Sequence, residues 1–231
     1  RIPVDRKRVD NRLTLGAAKH LNKVNRPLLV EVPKHPKLTK EQFLTAYENG
    51  LKVIDTRNKA DFATGFIPGS INIQGNNSFS TWAGWLLNYQ EQFILIADDN
   101  QMEDLTRKLM RIGLDNIYGY ISDVNDLGLE LETEKIIGID EFKSYIGNPD
   151  AQIVDVRGYS EYDAYHVEGA DNVFVGTLPD NLDKFSKDKQ IIIHCQSGDR
   201  ATIAQSLLAK HGFKNVKNYS AGMKEWIGLN S

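Results

Sequence analysis

Short apolar runs alternate along this chain with stretches whose apolar residues recur at helical spacing. Val53-Ile54, Phe93 to Ala97, Ile153-Val154 and Ile191-Ile192-Ile193 are each bounded by polar residues, the pattern of short strands buried on both faces. Behind the last run, Ala201, Ala204, Leu207, Leu208 and His211 fall on one helical face. The same order of segments occurs twice. A helix (Lys40 to Tyr47; Asp140 to Tyr145) leads to a strand ending in Asp-x-Arg, a loop, a short strand near a Gly-x-x-Asn, and helical turns. An apolar strand (Phe93 to Ala97; Ile191 to His194), a loop, a long helix and a last short strand (Ile117 to Tyr120; Val216 to Tyr219) follow. Thr39 with Gln42 predicts a capping box at the first helix. Strands alternating with helices predict an α/β fold in which a mostly parallel sheet is flanked by helices on both faces. Sites in such sheets lie beyond the carboxyl ends of the strands.

The duplication is visible in the residues themselves. Val53-Ile54-Asp55-Thr56-Arg57 matches Ile153-Val154-Asp155-Val156-Arg157, and Phe66 to Ile73 matches His166 to Val173, both at an offset of 100. Leu109 to Tyr120 pairs with Leu208 to Tyr219 at an offset of 99. Two copies of one domain are expected, over residues 39–125 and 137–231, preceded by a basic linker or packing segment over residues 1–38.

Cys195 is the only cysteine. It follows the three isoleucines and His194, and opens the six-residue stretch Cys195-Gln196-Ser197-Gly198-Asp199-Arg200 before the long helix. The first N–H groups of a helix have no carbonyl partners and favour negative charge, so a thiol placed there is activated as a nucleophile. Gly198 can take backbone angles that turn successive N–H groups inward as an anion-holding nest. Arg200 closes the loop with a fixed charge suited to oxyanions. By burial habit alone, a lone cysteine after three isoleucines is a small core hydrophobe. The glycine, the arginine and the helix start move the reading to an activated thiol.

A strand ending in His-Cys, a six-residue loop from Cys to Arg and a following helix resemble the active-site loop of rhodaneses, which carry sulfane sulfur as a cysteine persulfide. Cysteine phosphatases and arsenate-type enzymes use a similar cradle with one more residue between Cys and Arg, leaving space for a tetrahedral oxyanion. A persulfide adds a single sulfur about 2 Å beyond the thiolate, which suits the tighter ring. The resemblance makes Cys195 and Arg200 the candidate catalytic residues. It also implies that the main-chain N–H groups of Gln196, Ser197, Gly198, Asp199 and Arg200 surround the outer sulfur, with Arg200 fixing the loop against a carboxylate. Such a site needs inward-facing amides and a sulfur that solvent can reach. Asp155 and Arg157, at a strand end, are candidates for bracing the loop. Both recur in the first copy as Asp55 and Arg57, which points to a fold-level role such as an Arg157 with Glu161 pair. His194 lies within a strand and His166 replaces Phe66 of the first copy. Neither is needed as a base where the helix start and nest hold the thiolate.

The first copy lacks this chemistry. After Phe93 to Ile96 it reads Ala97-Asp98-Asp99-Asn100-Gln101-Met102-Glu103, and the span from Ile96 to Gly113 is 17 positions against 19 from Ile193 to Gly212. Asp98 and Asp99 suit a helix start but repel thiosulfate or a thiolate. This copy reads as an inactive domain serving packing, positioning or regulation. Asp199 and Arg200 cancel within the second loop, so thiosulfate is expected to be a weaker donor than thiol persulfides.

Charge and composition narrow the setting. Residues 1–30 carry eight Lys or Arg against Asp5 and Asp10, a balance of +6, which leaves −9 on the remaining 201 residues of a chain totalling −3. The basic arm has little aromatic interleaving, so nucleic acid is not expected as a partner. No apolar run approaches a membrane span, and the start Arg1-Ile2-Pro3 lacks the apolar core of a signal peptide. One cysteine excludes an internal disulfide framework and fits a cytoplasmic location. The five histidines form no ligand pair at helical or strand spacing, so no metal is expected in this chain.

Val9-Asp10-Asn11, Asn25-Arg26-Pro27-Leu28-Leu29 and Phe79 to Leu87 (FSTWAGWLL) further resemble the region after the metal domain in bacterial fusions of a metallo-β-lactamase-fold persulfide dioxygenase with rhodanese. That resemblance implies a role in sulfide and persulfide detoxification, with thiol persulfides, thiosulfate and sulfite as substrates. It places non-haem iron in an N-terminal domain absent from these residues, whose His-x-His-x-Asp-His motif they lack. The helical face formed by Trp82 and Trp85 is then expected to dock on that domain. Two function classes remain at this level: a sulfurtransferase working through Cys195, and a non-catalytic scaffold for a partner oxygenase.

Overall fold

A computed structural model describes residues 31–230. Most of the basic segment, including the Val9-Asp10-Asn11 and Asn25 to Leu29 matches, lies outside the described residues. Two four-stranded parallel sheets carry the chain, each flanked by helices. The first contains α1 (Lys40–Glu48), β1 (Lys52–Asp55), α2 (Lys59–Thr64), β2 (Ile71–Asn72), α3 (Phe79–Leu86), β3 (Phe93–Ile96), α4 (Met102–Met110) and β4 (Ile117–Ile121), with strand order β2-β1-β3-β4. The second contains α5 (Ile139–Ser144), β5 (Ala151–Asp155), α6 (Tyr159–Ala164), β6 (Asp171–Asn172), β7 (Gln190–His194), α7 (Asp199–Lys210), β8 (Val216–Tyr219) and α8 (Gly222–Asn230), in the order β6-β5-β7-β8. Equivalent strands keep equivalent registers: Asp55 lies beside Asn72 and Ile96, and Asp155 beside Asn172 and His194.

Local chemistry sets the element ends. The capping box expected at Thr39 forms, with the Thr39 hydroxyl accepting from the Gln42 amide and the Gln42 side chain accepting from the Thr39 amide. Asn72 and Asn172 each donate through Nδ2 to the two carbonyls around the Asp-x-Arg turn, at 2.9 to 3.1 Å. This explains why the Asn of each Gly-x-x-Asn repeats. The helix at the acidic end of the first copy starts at Met102, later than Asp98 and Asp99 suggest, and Asp99 instead pairs with Lys37 at 2.9 Å. The reason is the shortened loop, which leaves Asp98 and Asp99 before the first turn and within reach of the segment that enters the domain.

The two domains share one continuous apolar core. It runs from Ile54, Phe79 and Leu105 of the first through Val175, Ala204 and Leu208 of the second, while separate smaller clusters cover the outer face of each sheet. At its centre α7 buries every residue from Ala201 to Leu208, and the Asn72 amide donates to Ser206 Oγ across the domain boundary at 3.2 Å. Trp85 meets Phe174 edge-on at a ring separation of 5.3 Å, with Trp82 tilted against it at 6.2 Å. The aromatic face expected to dock on an absent domain is therefore occupied by the second domain of this chain, because Phe174 and the close-approaching Gly176 offer it a fitted partner. No helix among the described residues is long and apolar enough to cross a membrane.

Candidate active site

The Cys195 loop leaves the carboxyl end of β7 and enters α7 through Gly198, whose φ of 97° is a conformation that side-chain-bearing residues resist. A Cβ at this position would lie 2.5 Å from the Ser220 carbonyl oxygen. The four carbonyls from Cys195 to Gly198 are each engaged away from the sulfur. Cys195 O accepts from the Met223 amide at 2.8 Å and Gln196 O from the Lys224 amide at 3.0 Å, both at the start of α8. Ser197 O accepts from Lys59 Nζ, and Gly198 O from the Thr202 amide at 2.9 Å. Among the described residues there are no cis peptides, so each planar trans unit turns the next N–H the opposite way. The Gly198 N–H accordingly donates to Cys195 Sγ at 3.1 Å.

Cys195 is only 1% exposed, which departs from the solvent-reachable sulfur expected from the sequence. The start of α8 packs on the loop through the Met223 and Lys224 amides, and the Gln196 Oε1 accepts from Arg157 Nη1 at 3.4 Å. Ser197 is exposed and Gln196 half-buried, so these two residues are the part of the loop next to the sulfur that meets solvent.

Arg200 is held by Glu161 through two bonds, Nη1 to Oε2 at 2.5 Å and Nη2 to Oε1 at 2.8 Å. The bond to Arg200 is the main reason the Glu161 carboxyl sits below the usual range. Glu161 Oε2 also accepts from the Gly158 amide at the head of α6. The expected Arg157 with Glu161 pair does not form, because Arg157 is committed to Asp155 by a fork with its shortest leg at 2.7 Å and to the Tyr165 carbonyl. Asp55, Arg57 and the Gly65 carbonyl reproduce this arrangement in the first domain. The brace is thus a feature of the fold, and Arg157 touches the loop only through Gln196.

Asp199 opens α7 and pairs with Lys59 Nζ at 2.9 Å, across the domain boundary. Counting Asp199, Arg200, Glu161 and Lys59, the side chains around the loop still sum to zero. His194 is fully buried, with its ring edge-on to Phe142. Burial lowers its pKa to about 4, which leaves it a neutral core residue. His166 is exposed and stacks on Tyr162 at 4.0 Å. Where the second domain has its loop, the first has a polar cavity of about 410 Å³ lined by Arg57, Asn58, Asp61, Gln74, Asp98 and Gln101. Among the described residues no cluster of three or more His, Cys, Asp or Glu is placed to hold a metal ion.

Two features of the site escaped the sequence reading. Lys59 is Tyr159 at the 100-residue offset, a difference that could have marked it. The start of α8 lies beyond the last matched segment of the repeat and carries no such signal.

Duplicated parallel sheets, one of them ending in a cysteine loop whose Gly198 amide meets the sulfur, define a tandem α/β protein with one cysteine-bearing loop. The chain belongs to the rhodanese-like domain family, whose model matches residues 39–126 and 138–229. It is similar to the thiosulfate:glutathione sulfurtransferase of Saccharomyces cerevisiae, with 30% identity over 43% of this chain and 86% of that protein. It is also similar to the tRNA uridine(34) hydroxylase of Hamiltonella defensa, with 36% identity over 38% of this chain and 26% of that protein. This chain spans half or less of the length of that hydroxylase and of a Bacillus subtilis relative. A crystal structure of a single-domain sulfurtransferase from Saccharomyces cerevisiae superposes on 42% of this chain and 92% of its own, with 26% identity and a TM-score of 0.39. Family and relatives support sulfur transfer in general.

Proposed function

We propose that this protein moves sulfane sulfur through a persulfide on Cys195. The Cys195 thiolate attacks the outer sulfur of a thiol persulfide, forming a new S–S bond while the donor's own S–S bond breaks and its electron pair leaves with the donor thiolate. An acceptor thiolate or sulfite then attacks the outer sulfur of the Cys195 persulfide, and the Cys195 thiolate leaves. Thiosulfate can serve as donor in the same way, with sulfite as the leaving group. The observation that carries the reading is the loop's backbone: three successive carbonyls from Cys195 to Ser197 are tied outward and the Gly198 amide is aimed at the sulfur. An inward amide at a helix start favours an anionic sulfur and its persulfide. Arg200 and Glu161 hold the loop's helical end, and Gln196, Ser197 and Asp199 form its rim.

The four side chains around the loop sum to zero, so long-range attraction for the thiosulfate dianion is weak and thiol persulfides are the better donors. The setting beside a metallo-β-lactamase-fold persulfide dioxygenase, whose iron belongs to that other domain, rests on the sequence resemblance of residues 9–29 and 79–87. The test is steady-state transfer to a thiol and to sulfite, with thiosulfate and a thiol persulfide compared as donors. The proposal expects turnover with the persulfide, less with thiosulfate, and none in Cys195→Ser. Turnover that survives Cys195→Ser overturns the role given to Cys195, and none with any donor favours a scaffold instead.

A further inference from the structure

Lys59 belongs to the domain without a cysteine, yet its ammonium ends on the loop of the domain that has one. It donates to the Ser197 carbonyl and to Asp199 Oδ1, the latter at 2.9 Å. Ser197 C=O and Gly198 N–H are the two poles of one peptide unit, and the far pole is the N–H that meets Cys195 Sγ at 3.1 Å. The ammonium, the peptide and the sulfur thus form a chain. A cation on a peptide oxygen draws electron density toward that oxygen and makes the N–H a stronger donor. It also fixes the orientation of the plane, which Gly198 at φ 97° would otherwise leave free to rotate.

The place of Lys59 is itself built. It is the first residue of α2, behind the Asn58 cap whose side chain accepts from the Ala60 and Asp61 amides, and its own amide donates to Gln74 Oε1 at 3.1 Å. The Tyr159 that occupies this position in the second domain is 69% exposed and lacks the reach and charge for such a contact.

We infer that Lys59 is a positioning residue supplied by the inactive domain, which orients and polarises the Ser197–Gly198 peptide so that its N–H holds sulfur anions on Cys195. This rests on the proposed sulfur transfer and gives the cysteine-free domain a part in it. The same contact has a simpler reading, charge neutralisation, because Lys59 also pairs with Asp199. The two roles differ in what happens when the Asp199 charge is removed.

The experiment follows the rate of sulfur loading onto Cys195 by intact mass at fixed pH, in the full chain, with a thiol persulfide as donor. It compares wild type, Lys59→Met, Lys59→Arg, Asp199→Asn and the double variant Lys59→Met/Asp199→Asn. Lys59 is partly exposed, and thermal unfolding checks that each variant is folded. The expected result is loading about three- to tenfold slower in Lys59→Met, as befits one charge-assisted contact at a half-exposed site. Lys59→Arg restores it to within about twofold, and the slowing persists when Asp199→Asn is the background. Wild-type loading in Lys59→Met overturns the inference, and so does a slowing that vanishes in the Asp199→Asn background, which leaves only charge neutralisation. Failure of the wild type itself to load overturns the sulfur-transfer reading instead.

Discussion

Single residues of the loop carry separable duties. Gly198 serves the backbone alone: its left-handed φ and the 2.5 Å approach of a Cβ to the Ser220 carbonyl leave no room for a side chain. Gly198→Ala is expected to lower stability by about 2 to 3 kcal/mol, read as a shift in the urea midpoint, and to abolish sulfur loading even where the protein remains folded. A midpoint unchanged from wild type would mean the turn is not strained as described. Arg200 serves geometry through the two bonds to Glu161. Arg200→Lys keeps the charge but not the fork, so it is expected to load sulfur more slowly than wild type and faster than Arg200→Met. Equal rates for the two variants would assign Arg200 a purely charge-based role.

The elements show where a sequence reading reaches its limit. Strands, duplication and the placement of Cys195 at the end of β7 were legible because apolar runs and the 100-residue offset record them directly. The start of α7 at Asp199 and of α4 at Met102 were displaced from expectation, because loop length and the Gly198 turn decide where the first helical hydrogen bond closes. The Trp82 and Trp85 face was legible as an interface but not its partner, since a helical stripe records that something covers it and not what. Phe174 supplies that partner. Phe174→Ala is expected to cost about 2 kcal/mol, less than a fully buried phenylalanine, in a single cooperative unfolding transition. Two resolved transitions would show that the domains do not share the core described. The partners of Arg157 and Arg200 were out of reach for a related reason: Asp155 and Glu161 are both near enough in sequence to serve Arg157, Glu161 is distant in sequence from Arg200, and only the fold chooses.

At the scale of the whole molecule, the linker between the sheets is a structural seam. The Glu134 amide donates to the Ala63 carbonyl of the first domain at 3.0 Å, while its Oε1 accepts from Asn218 Nδ2 of the second at 3.0 Å. Burial raises the Glu134 carboxyl to about 7 from an ordinary 4.5, against the opposing hydrogen bonds from Asn218 and Thr202 and the charge of Lys59. Its folded-state pKa is raised, so the native state holds a proton that the unfolded chain has released. The associated stability is present below pH 4.5 and is lost as pH rises to about 7. Glu134→Gln removes this dependence, and its stability relative to wild type should rise across that window by an amount on the order of 2 to 3 kcal/mol. His194, lowered to about 4 by burial, has the opposite slope between there and 6.5, so the variant-minus-wild-type difference carries the test and not the raw profile. A difference independent of pH would place the Glu134 carboxyl in a solvated environment. The seam, the shared core and Lys59 together make the cysteine-free domain part of the site's surroundings. The central claim remains that Cys195 accepts a sulfur atom, and the intact mass of the full chain after exposure to a thiol persulfide tests it most directly. A gain of one sulfur on Cys195, removed by sulfite or a thiol and absent from Cys195→Ser, is predicted; a folded wild-type chain that gains nothing from persulfide or thiosulfate contradicts the account.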